Sequence, residues 1–192
     1  MGKMGSVTKK QLKQLFTQID RRLSKNINIY IIGGISAIFG YNVMKETNDV
    51  DIDGSIDPDF QIIFDEEAKS LNLDLYLASK GVFAPPDGYR GRCAFEDFPR
   101  KKLRVWYLNQ YDLAISKIDR GIEKDFEDIR KVHEQSPFEY ERLVQIFNDE
   151  YIRVSAIGSP REKMMNLVDL VDQLFGPEFV DDVKKKIGLT SN

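Results

Sequence analysis

The chain has little cysteine, histidine or tryptophan, with one residue of each among its 192 residues. The single Cys93 can form no internal disulfide and has no second thiol with which to share a zinc ion, so the sequence favours a reducing compartment. Catalysis by a Cys/His or Ser/His pair would use His133 with Cys93 or Ser136, and their spacing does not support it. We interpret His133 as a residue on a helix surface.

The chain also lacks a long hydrophobic run and an excess of positive charge. The longest nearly uncharged stretch, residues 27–44, is interrupted by glycine, asparagine and serine and is typical of a strand followed by a helix. No apolar stretch follows the first lysines, so we expect no secretory signal. With 28 Lys+Arg against 31 Asp+Glu, no global positive field draws the chain to nucleic acid or anionic lipid. We therefore expect a folded, cytoplasmic protein with no membrane partner.

Hydrophobic periodicity predicts strands within the first 108 residues and helices after them. Strands are predicted at 27–32, 49–53, 73–77 and 102–108, with an irregular stretch between 78 and 102. Helices are predicted at 8–24, 35–44 and 60–71, and then at roughly 110–120, 123–134, 138–151, 160–175 and 177–187. The predicted fold class is α+β, with an α/β N-terminal half over 1–108 and a helical bundle over 109–192 packed on it.

A glycine pair separates the first predicted strand from the helix that follows it. Gly33 and Gly34 leave the backbone N–H groups at that helix N-terminus accessible because no Cβ intervenes. These groups and the helix dipole favour a phosphate, although many such turns simply connect a strand to a helix. A dinucleotide-binding fingerprint would need glycine where Ile35 and Ile38 stand, and the Gly-Lys-Ser/Thr of a P-loop does not occur.

The next predicted strand is acidic on one face. Asp49, Asp51 and Asp53 are two residues apart, so a strand would direct all three carboxylates to the same side. A bound Mg²⁺ or Mn²⁺ would relieve their repulsion, and a solvated acidic edge strand without a ligand is the alternative. The same run resembles the opening of an EF-hand calcium loop, but its twelfth position is Phe60 instead of the required glutamate.

The glycine pair and the acidic strand together resemble a family signature. YIIGGISAIFGY followed by KETNDVDID resembles the pattern of the nucleotidyltransferase superfamily related to DNA polymerase β. The later stretch YDLAISKIDRGIEKDFEDI is similar to motifs of the abortive-infection type E toxins and related nucleotidyltransferases. The resemblance covers roughly residues 28–130. It implies a small mixed sheet flanked by helices in the N-terminal half.

The resemblance also implies roles for individual residues. Asp49 and Asp51 would ligate the metal ions, and the third carboxylate would be Asp74, with Asp53 as a second candidate. The implied nucleotide-binding residues are Gly33, Gly34, Ser36, Thr47, Lys117, Lys124, Asp125 and Asp128. Lys117 is also placed among the catalytic residues, together with the three metal-binding acids.

The activity implied is the transfer of a nucleoside monophosphate from an NTP to an acceptor hydroxyl, with Mg²⁺ or Mn²⁺ as cofactor. The acceptor would be an RNA or a protein, and an antitoxin would be a partner if the protein acts as a toxin. The alternative is a catalytically degenerate module of the same fold that binds nucleotide or another protein.

Overall fold

The computed structural model describes residues 6–79, 85–151 and 159–189. These residues form two compact units. The first contains residues 6–79 and 92–109, and the second contains 85–91, 110–151 and 159–189. Within those ranges, no helix combines the length and the apolar character needed to cross a membrane.

The first unit alternates strands and helices. Its strands are β1 (Ser6–Val7), β2 (Ile27–Ile31), β3 (Lys45–Glu46), β4 (Asp49–Ile52), β5 (Tyr76–Ser79), β6 (Ala94–Asp97) and β7 (Leu103–Tyr107). Its helices are α1 (Lys9–Arg22), α2 (Gly33–Tyr41) and α3 (Pro58–Ser70). Two of these helices begin at a side-chain cap, Thr8 for α1 and Asp57 for α3, each accepting hydrogen bonds from backbone N–H groups of the first turn.

Five of the described strands form a mixed sheet in the order β5-β4-β2-β7-β6. The pairs β4–β5 and β2–β7 are parallel, whereas β2–β4 and β6–β7 are antiparallel. β1 and β3 form a separate antiparallel pair. The sheet and its flanking helices confirm the predicted α+β class with a mixed sheet.

One face of the sheet is buried and the other carries the polar side chains. Ile29 and Ile31 of β2, and Val50 and Ile52 of β4, pack into one core with the apolar stripe of α1. Because successive strand residues face opposite sides, Asp49 and Asp51 lie on the face away from this core.

Two strands of the five-stranded sheet differ from the sequence prediction, and the short strands β1 and β3 were not predicted. β6 falls inside the stretch predicted to be irregular, because its pairing with β7 is a tertiary contact that leaves no local hydrophobic alternation. β5 starts at Tyr76, three residues after the predicted start at residue 73. The preceding residues form the C-terminal cap of α3 instead. Asn72 has a left-handed backbone with φ 53°, and the N–H of Leu73 donates to the carbonyl of Ala68 at 2.9 Å.

The regular elements of the second unit are all helices within its described residues, as predicted for the C-terminal half. The short helix α4 (Tyr89–Arg92) begins in this unit and ends at Arg92, a residue of the first unit. The α-helices that follow are α5 (Gln110–Ile118), α6 (Glu123–Gln135), α7 (Tyr140–Ile146), α8 (Pro160–Phe175) and α9 (Val180–Lys186). A π-helical turn follows α7 at Phe147–Tyr151, and a 3₁₀ turn precedes α9 at Pro177–Phe179. A buried ion pair between Lys163 Nζ and Asp119 Oδ1, at 2.9 Å, ties α8 to the turn after α5.

Candidate functional site

The glycine elbow, Gly33 and Gly34, opens α2 directly after β2. Ile32 precedes this helix in an extended conformation and donates no side-chain cap, and the first turn contains no acidic residue. The first N–H groups of α2 therefore have no side-chain acceptor from a cap. A helix N-terminus of this kind suits an anionic ligand such as a phosphate, because the N–H groups and the helix dipole both favour negative charge.

The elbow lies directly against the acidic strand. Gly33 has φ of +64°, and a Cβ added to it would lie 2.6 Å from Oδ2 of Asp51. The N–H of Ile32 donates to the carbonyl of Asp51 at 2.9 Å, which holds the end of β2 beside β4. Glycine is needed here for two reasons: the backbone is left-handed, and a side chain would collide with the carboxylate.

Asp49 and Asp51 form an acidic pair on the open face of β4. Burial raises the pKa of Asp51, the negative charge of Asp49 raises it further, and the positive charge of Lys45 lowers it in part. A divalent cation would stabilise both carboxylates, and carboxylate oxygens are ligands that Mg²⁺ prefers. Across the described ranges, no three His, Cys, Asp or Glu side chains come close enough together to hold one metal ion.

Lys45 is a residue of this site that the sequence interpretation missed. A Cβ added to Gly34 would lie 3.1 Å from Cε and 3.5 Å from Nζ of Lys45, so the lysine side chain covers the elbow. Its backbone is held by the pairing of β3 with β1, where Lys45 lies opposite Val7. One sequence feature could have pointed to Lys45: in KETNDVD it precedes Asp49 and Asp51 at the two-residue spacing of residues on one face of a strand.

The strand beside the acidic pair contributes a phenol. In the parallel register of β4 and β5, Tyr76 lies opposite Asp49 and Ala78 lies opposite Asp51. Tyr76 lies beside Asp49 on the same face of the sheet, and the negative charge of Asp49 and its neighbours raises the pKa of the Tyr76 hydroxyl. Neither position on β5 that adjoins the acidic pair is an acid.

The other acids of the motif lie at the ends of these strands. Asp74 comes before β5, and its Oδ2 accepts a hydrogen bond from Nδ2 of Asn48 at 2.9 Å. Asp53 follows β4, and its N–H donates to the carbonyl of Tyr30 at 2.9 Å. Thr47 is half-buried just before β4. The assignments of Asp74 as the third metal ligand and of Thr47 to the nucleotide stay predictions.

Ser36 lies one turn into α2 and is fully buried. Its Oγ accepts a hydrogen bond from the N–H of Leu108 at 2.9 Å, which joins the helix to the end of β7. This contact gives Ser36 a role in positioning the elbow. Its predicted contact with nucleotide stays a prediction.

In the second unit, α5 and α6 meet around a buried lysine. Lys117 Nζ lies 2.9 Å from Oδ1 of Asp125 and 2.9 Å from Oδ2 of Asp128, and all three side chains are at most 7% exposed. Burial raises the pKa of Asp125, but hydrogen bonds from Arg120 and the charge of Lys117 outweigh it and hold that pKa below its usual value. The structure thus joins three of the predicted motif residues in one ion network, whereas Lys124 is exposed.

The segment that resembles a calcium loop folds differently. Its twelfth residue, Phe60, is completely buried in the core. Asp57 caps α3 by accepting hydrogen bonds from the N–H groups of Asp59 and Phe60 at 3.1 and 3.2 Å, and it pairs with Lys25 at 2.7 Å. A strand, a turn and the start of a helix replace the loop that would wrap a calcium ion.

Comparison with known proteins assigns this chain to a protein family. No curated protein and no solved structure matches the chain. A family model described as "Nucleotidyltransferase of unknown function (DUF6036)" matches residues 10–170. That range contains the glycine elbow, the acidic pair and the Lys117 ion network, and it spans most of the sequence, so the chain belongs to this nucleotidyltransferase family.

Proposed function

We propose that the protein transfers a nucleoside monophosphate from an NTP to an acceptor hydroxyl in a metal-dependent reaction. The observation that carries this proposal is the contact between the elbow and the acidic pair. The N–H groups of the elbow suit a phosphate and the carboxylates of β4 suit Mg²⁺, and the two features adjoin at Gly33 and Asp51. A Cβ added to Gly33 would lie only 2.6 Å from Oδ2 of Asp51. A triphosphate with its metal ion needs both features in one place.

Each residue of the site has a task in this reaction. The N–H groups at the start of α2 bind the terminal phosphates, and Lys45 adds a flexible positive charge beside Gly34. Asp49 and Asp51 would hold the divalent cation or cations, Mg²⁺ or Mn²⁺. When bound, such ions activate the attacking hydroxyl and stabilise the leaving pyrophosphate. The protein itself positions the groups and supplies charge.

The test compares two aspartates of the first unit. Purified wild type is incubated with each NTP, Mg²⁺ or Mn²⁺ and total RNA or lysate, and both pyrophosphate release and label transfer are measured. Asp51→Asn should lower the rate at least about a hundredfold, since it removes a charged group next to the reacting phosphate. Asp65→Asn, on the exposed surface of α3, serves as the matched control and should retain the rate. Equal rates for the two variants would refute the proposal.

A second candidate function is a catalytically degenerate module that binds nucleotide without transfer. The specific observation in its favour is that Tyr76 and Ala78, instead of an acid, adjoin the acidic pair on β5. This candidate predicts thermal stabilisation by an NTP and Mg²⁺ that depends on Asp51, with no release of pyrophosphate.

The resemblance to abortive-infection toxins supports a narrower form of the first proposal. In this form the acceptor is a cellular RNA or protein, its modification arrests growth, and an antitoxin protein opposes the enzyme. Expression of the wild type should then arrest growth, while Asp49→Asn and Asp51→Asn should be tolerated at equal protein level. Growth arrest by both variants would count against a toxic transfer reaction.

A further inference from the structure

The groups of the candidate site lie in a fixed order. The elbow adjoins Asp51, because Gly33 approaches its carboxylate. Asp49 precedes Asp51 by two residues on β4, which corresponds to about 6.6 Å along a strand. Tyr76 lies beyond Asp49 as seen from the elbow, opposite it on the neighbouring strand β5. The order is therefore elbow, Asp51, Asp49 and the Tyr76 hydroxyl.

This order has a consequence for an in-line displacement at phosphorus. In such a reaction the attacking oxygen and the leaving oxygen lie on opposite sides of the phosphorus atom. If the elbow holds the terminal phosphates, the leaving pyrophosphate is on the Asp51 side of the acidic pair. The acceptor hydroxyl must then enter on the Asp49 side, where the protein already presents the hydroxyl of Tyr76.

Resting on the proposed function, we propose that Tyr76 is an acceptor and that the protein attaches a nucleoside monophosphate to this side chain. Tyr76 is 53% exposed, so its ring has room to turn toward a bound nucleotide. Its side chain is on the same face of the sheet as Asp49 and lies directly opposite it, so it adjoins the acidic pair. Tyr30, on the same open face two strands away, instead stacks on Trp106 with ring centroids 5.5 Å apart.

The step balances with an NTP as the other reactant. A bond forms between the Tyr76 phenolic oxygen and the α-phosphorus of the NTP. The bond between that phosphorus and the oxygen bridging to the β-phosphate breaks, and pyrophosphate leaves. The phenolic proton passes to solvent, to which the exposed Tyr76 side chain has access. The product is a phosphodiester between tyrosine and the nucleoside.

The experiment follows the mass and the label of the protein itself. Wild type, Tyr76→Phe and Tyr30→Phe are incubated with α-labelled ATP, GTP, CTP or UTP and with Mg²⁺ or Mn²⁺, without any other acceptor. Intact mass and peptide sequencing locate the adduct, and pyrophosphate release is measured in parallel. We expect one nucleotide per chain on Tyr76 in the wild type and in Tyr30→Phe, and a loss of at least about a hundredfold in Tyr76→Phe.

A second measurement tests whether the reaction occurs within one chain. Because Tyr76 lies opposite Asp49 on the adjacent strand of its own chain, the fraction labelled per minute should not change on tenfold dilution of the protein. A rate per chain that falls in proportion to concentration would overturn modification of the site's own tyrosine.

The remaining outcomes separate this inference from the proposed function. Label on another residue, or undiminished label in Tyr76→Phe, overturns the inference. Pyrophosphate release that depends on Asp51, without an adduct on Tyr76, overturns the inference and leaves the proposed function standing. If neither pyrophosphate release nor Mg²⁺-dependent NTP binding occurs, the proposed function fails and the inference fails with it. Thermal melting of Tyr76→Phe near that of the wild type shows that the variant folds, as expected for an exposed ring.

Discussion

Substitution of Gly33 by alanine tests the contact on which the candidate site depends. The backbone φ of +64° costs an alanine roughly 1–2 kcal/mol, because its Cβ crowds the carbonyl oxygen in the left-handed region. The new Cβ would also meet Asp51 Oδ2 at 2.6 Å, where ordinary contact begins at 3.4 Å. The carboxylate must therefore retreat by the difference of about 0.8 Å.

The chain offers a matched control for the backbone cost. Gly188 has φ of +73°, and a Cβ added there would meet nothing within 4 Å. Gly188→Ala therefore carries the left-handed strain without a collision. Both variants should melt about 2–8 °C below the wild type, from roughly 1–2 kcal/mol at about 2–4 °C per kcal/mol for a chain of this size.

The two variants should differ in ligand binding. A displacement of about 1 Å at a reacting group lowers rates on the order of a hundredfold, so Gly33→Ala should lose NTP binding with Mg²⁺ and pyrophosphate release by that factor. Gly188→Ala should bind and react as the wild type does. Isothermal titration calorimetry with an NTP and Mg²⁺, beside a pyrophosphate assay, makes the comparison. Binding by Gly33→Ala as tight as that of the wild type would refute the placement of the nucleotide at the elbow.

Three further predictions concern the charged groups of the two units. In the absence of metal, Asp51→Asn should melt at a higher temperature than the wild type, because it removes a half-buried charge that Asp49 repels; a lower melting temperature in EDTA would contradict this. Lys117→Met breaks a buried ion network, so its free energy of unfolding in urea should be about 3–5 kcal/mol lower than that of the wild type. The control is Lys124→Met at an exposed position, whose free energy of unfolding should stay within about 0.5 kcal/mol of the wild type. Burial holds the pKa of His133 below 6.5, so the free energy of unfolding should fall as the pH drops through 6.5, where the unfolded chain takes up a proton that the folded imidazole resists. In urea titrations at pH 7.5 and 5.5, His133→Gln should lessen this fall. An equal loss of unfolding free energy between the two pH values in the variant and the wild type would contradict the prediction.

The sequence predicted most of the helices and the acidic strand because their signals are local. In α1, apolar residues recur at helical spacing and Thr8 and Gln11 form a capping box, so each turn carries its own evidence. In β4, alternation alone separates the buried Val50 from the half-buried Asp51 on the other face of the strand. In the second part of the signature, the structure joins Lys117 to Asp125 and Asp128 in one ion network, and the predicted contacts of these residues with nucleotide stay predictions.

The sequence did not reveal the neighbours that a strand acquires by pairing. The alternation of LDLYL predicted a strand from residue 73, but the end of α3 delays the strand to Tyr76. The parallel register of β5 with β4, which the sequence does not show, places a phenol opposite Asp49, and Asp74 as the third metal ligand stays a prediction. Lys45 was missed for a similar reason, because its position beside Gly34 depends on the course of the chain between α2 and β4.

By itself, the sequence predicted which residues would carry the chemistry: glycines where a strand meets a helix, and carboxylates that alternate along a strand. These are properties of neighbouring residues, whose backbone geometry decides which side each group faces. The tertiary structure decided that the glycines and the carboxylates lie together and that a tyrosine lies opposite Asp49 on β5. Those contacts join residues 18 and 27 positions apart, Gly33 with Asp51 and Asp49 with Tyr76, and they exist because the pairing of β2, β4 and β5 brings the three strands side by side.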